Sequence, residues 1–149
     1  PGAEAQAIID RYFARYAGVR RWLDETIETA RRDGAVRTLY GRKRDLPEIR
    51  ARNPGLRQAA ERMAVNTPIQ GTAADVVKIA MLRVDAALRS SGLDARLLLQ
   101  VHDELVLETA EAEADRAGEL VRREMMGAAE LAVPLEVEVG HGRSWAEAH

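Results

Sequence analysis

Hydrophobic positions along the chain recur first with a helical period and later with a period of two. Ala7, Ile8, Tyr12 and the run 14–16 lie near helical spacing, Gly18 allows a break, and Trp22, Ile27 and Ala30 continue the pattern to Gly34. The chain therefore opens on a helix pair. The stretch AVRTLY (35–40) reads as a strand, GRKR supplies a turn with Gly41, and RDLPEI leaves through Pro47, which together predict a short basic hairpin. Asn53 before Pro54 has the form of an N-cap with proline at the first helical position, and apolar spacing then runs through Leu56, Ala60, Met63 and Ala64 to Leu88, with Gly92 as the stop. Pro68 and Gly71 interrupt this stretch. Because proline lacks a backbone donor and crowds the preceding turn, a kink or two helices nearly in line are expected there.

Further on, ARLLLQ (95–100) and LVLE (105–108) are short apolar strand segments flanking VHDE, a hairpin with polar residues at its tip. Ala117, Leu120, Val121, Met125 and Ala128 keep helical spacing and predict a helix over 111–131 that covers the sheet. Leu135, Val137 and Val139 alternate with Glu136, Glu138 and Gly140, the pattern of a strand with one buried face. The expected class is α+β, an antiparallel sheet covered by helices on one face. No internal repeat or low-complexity segment interrupts this order.

Composition narrows the class of protein. A chain of 149 residues with 46% hydrophobic content can bury a core, as one domain or as the tail of a larger one. It begins at Pro1 with a helical pattern under way at Glu4, so the expectation is a fragment of a longer chain. Without cysteine it can carry neither disulfides nor thiolate metal sites, which agrees with a reducing compartment. No apolar run approaches the roughly 20 residues of a membrane helix and no signal-like segment opens the chain, so a soluble, cytoplasmic protein without a membrane partner is expected. The net charge of −2 hides an asymmetry: residues 31–62 hold ten basic and four acidic side chains, whereas 104–138 hold ten acidic and three basic. Such a balance suits one face against a polyanion, or merely a solvated charged surface.

Three constellations could carry chemistry. His102, Asp103 and Glu104 are polar groups held where two apolar strands reverse, a stiff support. Adjacent strand residues face opposite ways, so one carboxylate is the better ligand for a hard cation such as Mg²⁺, which needs only one or two carboxylates beside substrate phosphates. A polar turn is the alternative. Zinc is disfavoured, since none of the three histidines has a partner at ligand spacing. Arg62, Asn66 and Gln70 follow one another at four-residue steps, which aligns three donors on one helix face. Every Watson–Crick pair offers a minor-groove acceptor in a similar place, so such donors can test pair geometry without reading sequence; the alternative is an exposed polar stripe. Arg37, Arg42, Lys43 and Arg44 on the basic hairpin suit phosphate contacts. Neither a nucleophile with its base nor a phosphate-cradling glycine loop is present, since Gly140 and Gly142 precede no predicted helix.

The segments AERMAVNTPIQGTAADVVKIAM (60–81), LLLQVHDELVLE (97–108) and PLEVEVGHGRSWAEAH at the end, with TLYGRKRDLP in the basic hairpin, closely resemble the bacterial DNA polymerase I family, family A. The resemblance spans essentially the whole chain. It implies that residues 1–60 are the C-terminal part of a fingers subdomain and 61–149 the C-terminal part of a palm. It further implies that Asp103 binds catalytic magnesium, that Glu104 lies beside the site, that His102 contacts the primer end, and that the helix bearing Arg62, Asn66 and Gln70 meets the primer-template minor groove. The implied reaction is nucleotidyl transfer from a dNTP to a primer 3′-hydroxyl with two Mg²⁺ ions, in DNA replication and repair, by a protein monomeric at full length. The family's other metal-binding aspartate and its triphosphate-gripping helix would lie upstream of Pro1, so the fragment alone is expected to be inactive. Departures from the family pattern, such as Ala17 for a usual proline and Ser144 for asparagine or aspartate, fall away from these motifs.

Overall fold

The computed structural model describes residues 2–148. Its elements are α1 (Gly2–Arg15), α2 (Ala17–Asp33), β1 (Ala35–Arg37), β2 (Lys43–Asp45), α3 (Pro54–Ser91), β3 (Ala95–Val101), β4 (Glu104–Thr109), α4 (Ala114–Met126) and α5 (Trp145–Ala148). Short 3-10 turns occupy Pro47–Arg50 and Glu111–Glu113. The class is α+β, helices with two separate antiparallel hairpins, β1–β2 and β3–β4. The chain divides into two compact units, Pro1–Thr72 and Ala73–His149.

In the first unit the helix pair breaks at Tyr16, not at Gly18, which lies inside α2. Tyr16 leaves the helical region (φ −114°, ψ 55°) while its ring stays 4.9 Å from that of Tyr12. Gly34 closes α2 in the left-handed conformation (φ 69°), a backbone that costs other residues about 1 kcal/mol or more. The core joins Ala30, Val36, Leu46, Ile49, Ala60 and Ala64, with Met63 packed against it. Three of these are alanines, fully buried on α2 and α3, which lets backbone come close to backbone.

At the start of α3 the Asn53 carboxamide oxygen accepts from the Gly55 N–H (2.9 Å), the expected cap. One helix, not two, then runs through Pro68 to Ser91. The proline removes one ladder hydrogen bond, but the helix continues past it, with Ala60 and Ala64 buried before it and Val77, Ala80 and Val84 after it. Gly92 (φ 72°) ends it.

In the second unit α3 and α4 cover one face of hairpin β3–β4. Val84, Leu88, Leu120 and Val121 are buried together, and Ala95, Leu105, Leu107 and Met125 pack on them. Helix α4 is shorter than the sequence pattern: a 3-10 turn precedes it, and at its end the Gly127 N–H donates to Arg123 O (3.1 Å) while Arg83 donates to Gly127 O (2.5 Å). The strand expected over 135–139 does not form; among the described residues no strand pairs with that segment. Its alternation survives only as burial, with Leu135 and Val137 half-buried and the methyl of Val139 3.0 Å from where a Cβ on Gly118 would stand. Period two reports which side chains are covered, but a strand also needs a ladder partner. Among the described residues no helix is long and apolar enough to cross a membrane.

Candidate active-site hairpin and nucleic-acid interface

Hairpin β3–β4 closes on the pair Val101↔Glu104, so His102 and Asp103 alone form the loop. Two-residue loops need positive φ at the first central position, where glycine is usual. His102 takes that place with φ 54°, the one non-glycine residue with positive φ among the described residues. Such a backbone costs about 1 kcal/mol or more, and outliers of this kind concentrate at functional sites. The Gln100 carboxamide donates to His102 O (2.6 Å) and helps to hold the turn.

A bulge at Leu98 shifts the register, so that Leu97 pairs with Leu107 but Leu99 with Val106. Past it, Gln100 rather than Leu99 lies beside core-facing Leu105, and Val101 shares the other face with Glu104. His102 and Asp103 are exposed, whereas Glu104, the first residue of β4, is half-buried and engaged within the chain. Lower on the hairpin Arg96 donates to Glu108 across the strands (2.6 Å), and that hydrogen bond and the carboxylate's charge raise the guanidinium above its ordinary value.

Among the described residues no group of three or more His, Asp or Glu side chains is placed to hold a metal ion. The donor set at this turn is one exposed carboxylate beside a half-buried one. That is too little for a closed protein cage but fits a magnesium ion completed by water, phosphate oxygens and a carboxylate from elsewhere.

The second constellation is formed as expected. Arg62, Asn66 and Gln70 are all exposed and lie on one face of α3, because the helix stays continuous through Pro68 and keeps Gln70 in register. The stripe is about 12 Å long at the rise of an α-helix.

The arginines of the basic hairpin make contacts within the chain. Arg37 donates to Gly41 O (2.8 Å) across its own loop. Arg42 donates to Gly71 O (2.9 Å), and Arg44 reaches Thr67 Oγ1 and Met63 Sδ, both at 3.4 Å. The guanidinia of Arg42 and Arg44 thus lie against α3. The approach is close: a Cβ on Gly71 would stand 2.6 Å from Thr38 Cγ2. Sequence reasoning passed over Thr38, Thr67 and Thr72, which are buried at this junction. The only hint was threonine flanking Pro68 and Gly71, which by itself reads as neutral. The stripe and the basic hairpin belong to the first unit and the His102–Asp103 turn to the second.

Comparison with known proteins shows the family. Residues 1–147 match the family model described as DNA polymerase family A. DNA polymerase I of Pseudomonas aeruginosa is 56% identical over 146 residues, covering 98% of this chain and 16% of that protein. The thermostable DNA polymerase I of Thermus aquaticus is 51% identical over 148 residues, 99% of this chain and 18% of its own length. Among solved structures, the POL domain of Pol1 from M. smegmatis in complex with DNA primer-template and dNTP superposes with a TM-score of 0.95 at 49% identity, over 99% of this chain and 26% of that one. The chain spans less than a fifth of the length of the curated relatives named here. With residues 1–147 matched to the family model and 99% of the chain matched in fold, the chain belongs to DNA polymerase family A.

Proposed function

We propose that this chain is the C-terminal part of a polymerase domain that carries out template-directed DNA synthesis, with residues 1–60 in the fingers and 61–149 in the palm. The observation that carries this reading is Asp103, an exposed carboxylate at the tip of a two-residue loop on a core-packed hairpin, in a chain so similar to a polymerase bound to primer-template and dNTP. The primer 3′-oxygen, losing its proton, attacks the α-phosphorus of the incoming nucleotide, and the bond to pyrophosphate breaks. Magnesium, when bound, supplies positive charge that stabilises the entering and leaving oxygens.

Asp103 is one carboxylate of a two-ion site whose other protein aspartate lies outside these 149 residues. Glu104, half-buried next to it, shapes the site electrostatically, and the exposed ring of His102 lies against the primer end. Arg62, Asn66 and Gln70 donate to purine N3 and pyrimidine O2 atoms of the newly formed pairs, which tests pair width without reading sequence. Arg37, Arg42 and Arg44 add positive charge toward the phosphate backbone. Most of the rate comes from positioning and charge stabilisation, the demands of phosphoryl-type transfer. The polymerase acts in replication and repair as a cytoplasmic monomer.

The test is Asp103→Ala in the polymerase that contains this segment, assayed for primer extension and for primer-template binding. Extension is expected to fall at least ~10³-fold, as for loss of a principal electrostatic group, with binding within ~3-fold of the parent. Unchanged extension would refute the catalytic assignment and leave a DNA-binding module.

A further inference from the structure

Three buried polar residues, Thr38, Thr67 and Thr72, gather where hairpin β1–β2 meets α3. Each hydroxyl is used. Thr38 Oγ1 accepts from the Arg42 N–H (3.2 Å). Thr67 Oγ1 accepts from Arg44 and donates to Met63 O (2.7 Å). Thr72 Oγ1 accepts from the Leu39 N–H (3.0 Å) and donates to Pro68 O. Arg42 to Gly71 O and the close approach of Thr38 to Gly71 complete the junction. Burying a hydroxyl where valine would fit gains nothing in hydrophobic stabilisation, whereas directional bonds fix rotation and register in a way that apolar contact does not.

These tethers bracket the weakest turn of α3. Pro68 has no N–H, so the Ala64 carbonyl lacks its helical partner; the turn deprived of that bond carries Asn66, and Gln70 follows it two residues past the proline. At roughly 100° per residue, Arg62, Asn66 and Gln70 cluster on one side of the helix, and Thr67, Gly71 and Thr72 fall between about 100° and 240° from Asn66 on the other. The exposure of the first three and the burial of Thr67 and Thr72 agree with that division.

We propose that hairpin β1–β2 is a brace, and that Thr38, Arg42, Arg44 and Thr72 are positioning residues that set the rotation of the Asn66–Gln70 turn. They thereby set how strictly the polymerase rejects a mispaired primer end. The proposal rests on the groove-facing role given above to the stripe. It shifts the main role of Arg42 and Arg44 from phosphate contact to support of the helix.

The experiment measures, in the full polymerase, the ratio of kcat/KM for extending a matched against a mismatched primer end, with DNA affinity across salt and Tm recorded for each variant. Gly71→Ala drives a Cβ onto the Thr38 methyl and is expected to lower the ratio ~5- to 10-fold, while adding Thr38→Ser, which removes the methyl but keeps the hydroxyl, restores it to within ~2-fold of the parent. Thr72→Val, which deletes the hydroxyl at nearly constant volume, is expected to lower the ratio ~3-fold or more. Arg44→Gln is expected to lower it too, whatever part of the salt slope goes with its charge. Gln70→Ala is the reference for the stripe. If it lowers the ratio while Gly71→Ala and Thr72→Val do not, the brace is wrong and the groove reading stands. If Gln70→Ala leaves the ratio unchanged, both fall. An Arg44→Gln variant that loses about one unit of salt slope with its ratio intact marks a phosphate contact and overturns the brace.

Discussion

Hairpins β1–β2 and β3–β4 are both short, antiparallel and polar at the loop, yet their side chains go to different places. In β1–β2 the loop is five residues long, Arg42 and Arg44 turn back onto α3, and Thr38 is buried against Gly71. In β3–β4 the loop is two residues long, and His102 and Asp103 stand exposed above strands whose other face is packed on Val84, Leu88, Leu120 and Val121. Polar groups turned inward at the first hairpin are tied to a helix; polar groups turned outward at the second are left open to solution. A polar loop is therefore informative only once the destination of its side chains is known.

The contrast can be broken at several points. The largest effect is expected on stability, at the support of the outward hairpin. Leu88→Ala empties part of the second core and should destabilise it by about 3 kcal/mol, read by denaturant unfolding; a loss under about 1 kcal/mol would mean that the tip stands on something other than this core. Next, His102→Gly sharpens the role of the tip. Glycine accepts φ 54° without penalty, so stability should hold or rise by up to about 1 kcal/mol while extension falls about tenfold. A variant that is less stable, or fully active, would make the histidine a structural turn residue. Arg83→Ala removes the bonds to Glu124 and Gly127 O that close α4 and should cost about 1 kcal/mol, measured as a lowered Tm.

The smallest effect is one of pH. The hydrogen bond from Arg123, then the one from Arg83, outweighs partial burial and holds the Glu124 carboxyl below its ordinary value of 4.5. A depressed folded-state pKa adds stability that is complete above the unfolded value and is lost as pH falls through the folded one. Glu124→Gln should therefore flatten the stability curve below about pH 4.5 and leave its shape near neutrality unchanged, which acid titration of unfolding would show.

Where a signal is local, the chain declared it. Asn53 with Pro54, Gly92 after α3, and two apolar segments around VHDE each state their structure within a few residues, and each is found as read. The stripe of Arg62, Asn66 and Gln70 was legible from spacing alone, because a helix converts four-residue steps into one face. What failed depends on partners distant in sequence. Alternation at 135–139 gave the buried side chains but could not supply a strand to pair with. Pro68 argued for a kink or for two helices, and one helix with buried residues on both sides of the proline replaces the second alternative. The helix break came at Tyr16 instead of Gly18, since a glycine permits a break without requiring one. The buried threonines had no local signature, because a threonine becomes part of a brace only through an arginine or amide brought from more than twenty residues away.

The most direct test of the outward-facing assignment is the single-turnover rate at which the polymerase bearing Asp103→Asn adds one correct nucleotide. The variant keeps the size of the side chain and the loop and removes only the charge. A rate at least ~10³-fold below the parent, with primer-template affinity within ~3-fold, is the expected result. A rate within about tenfold of the parent would contradict the assignment of Asp103 as a metal-binding carboxylate at the tip of the hairpin.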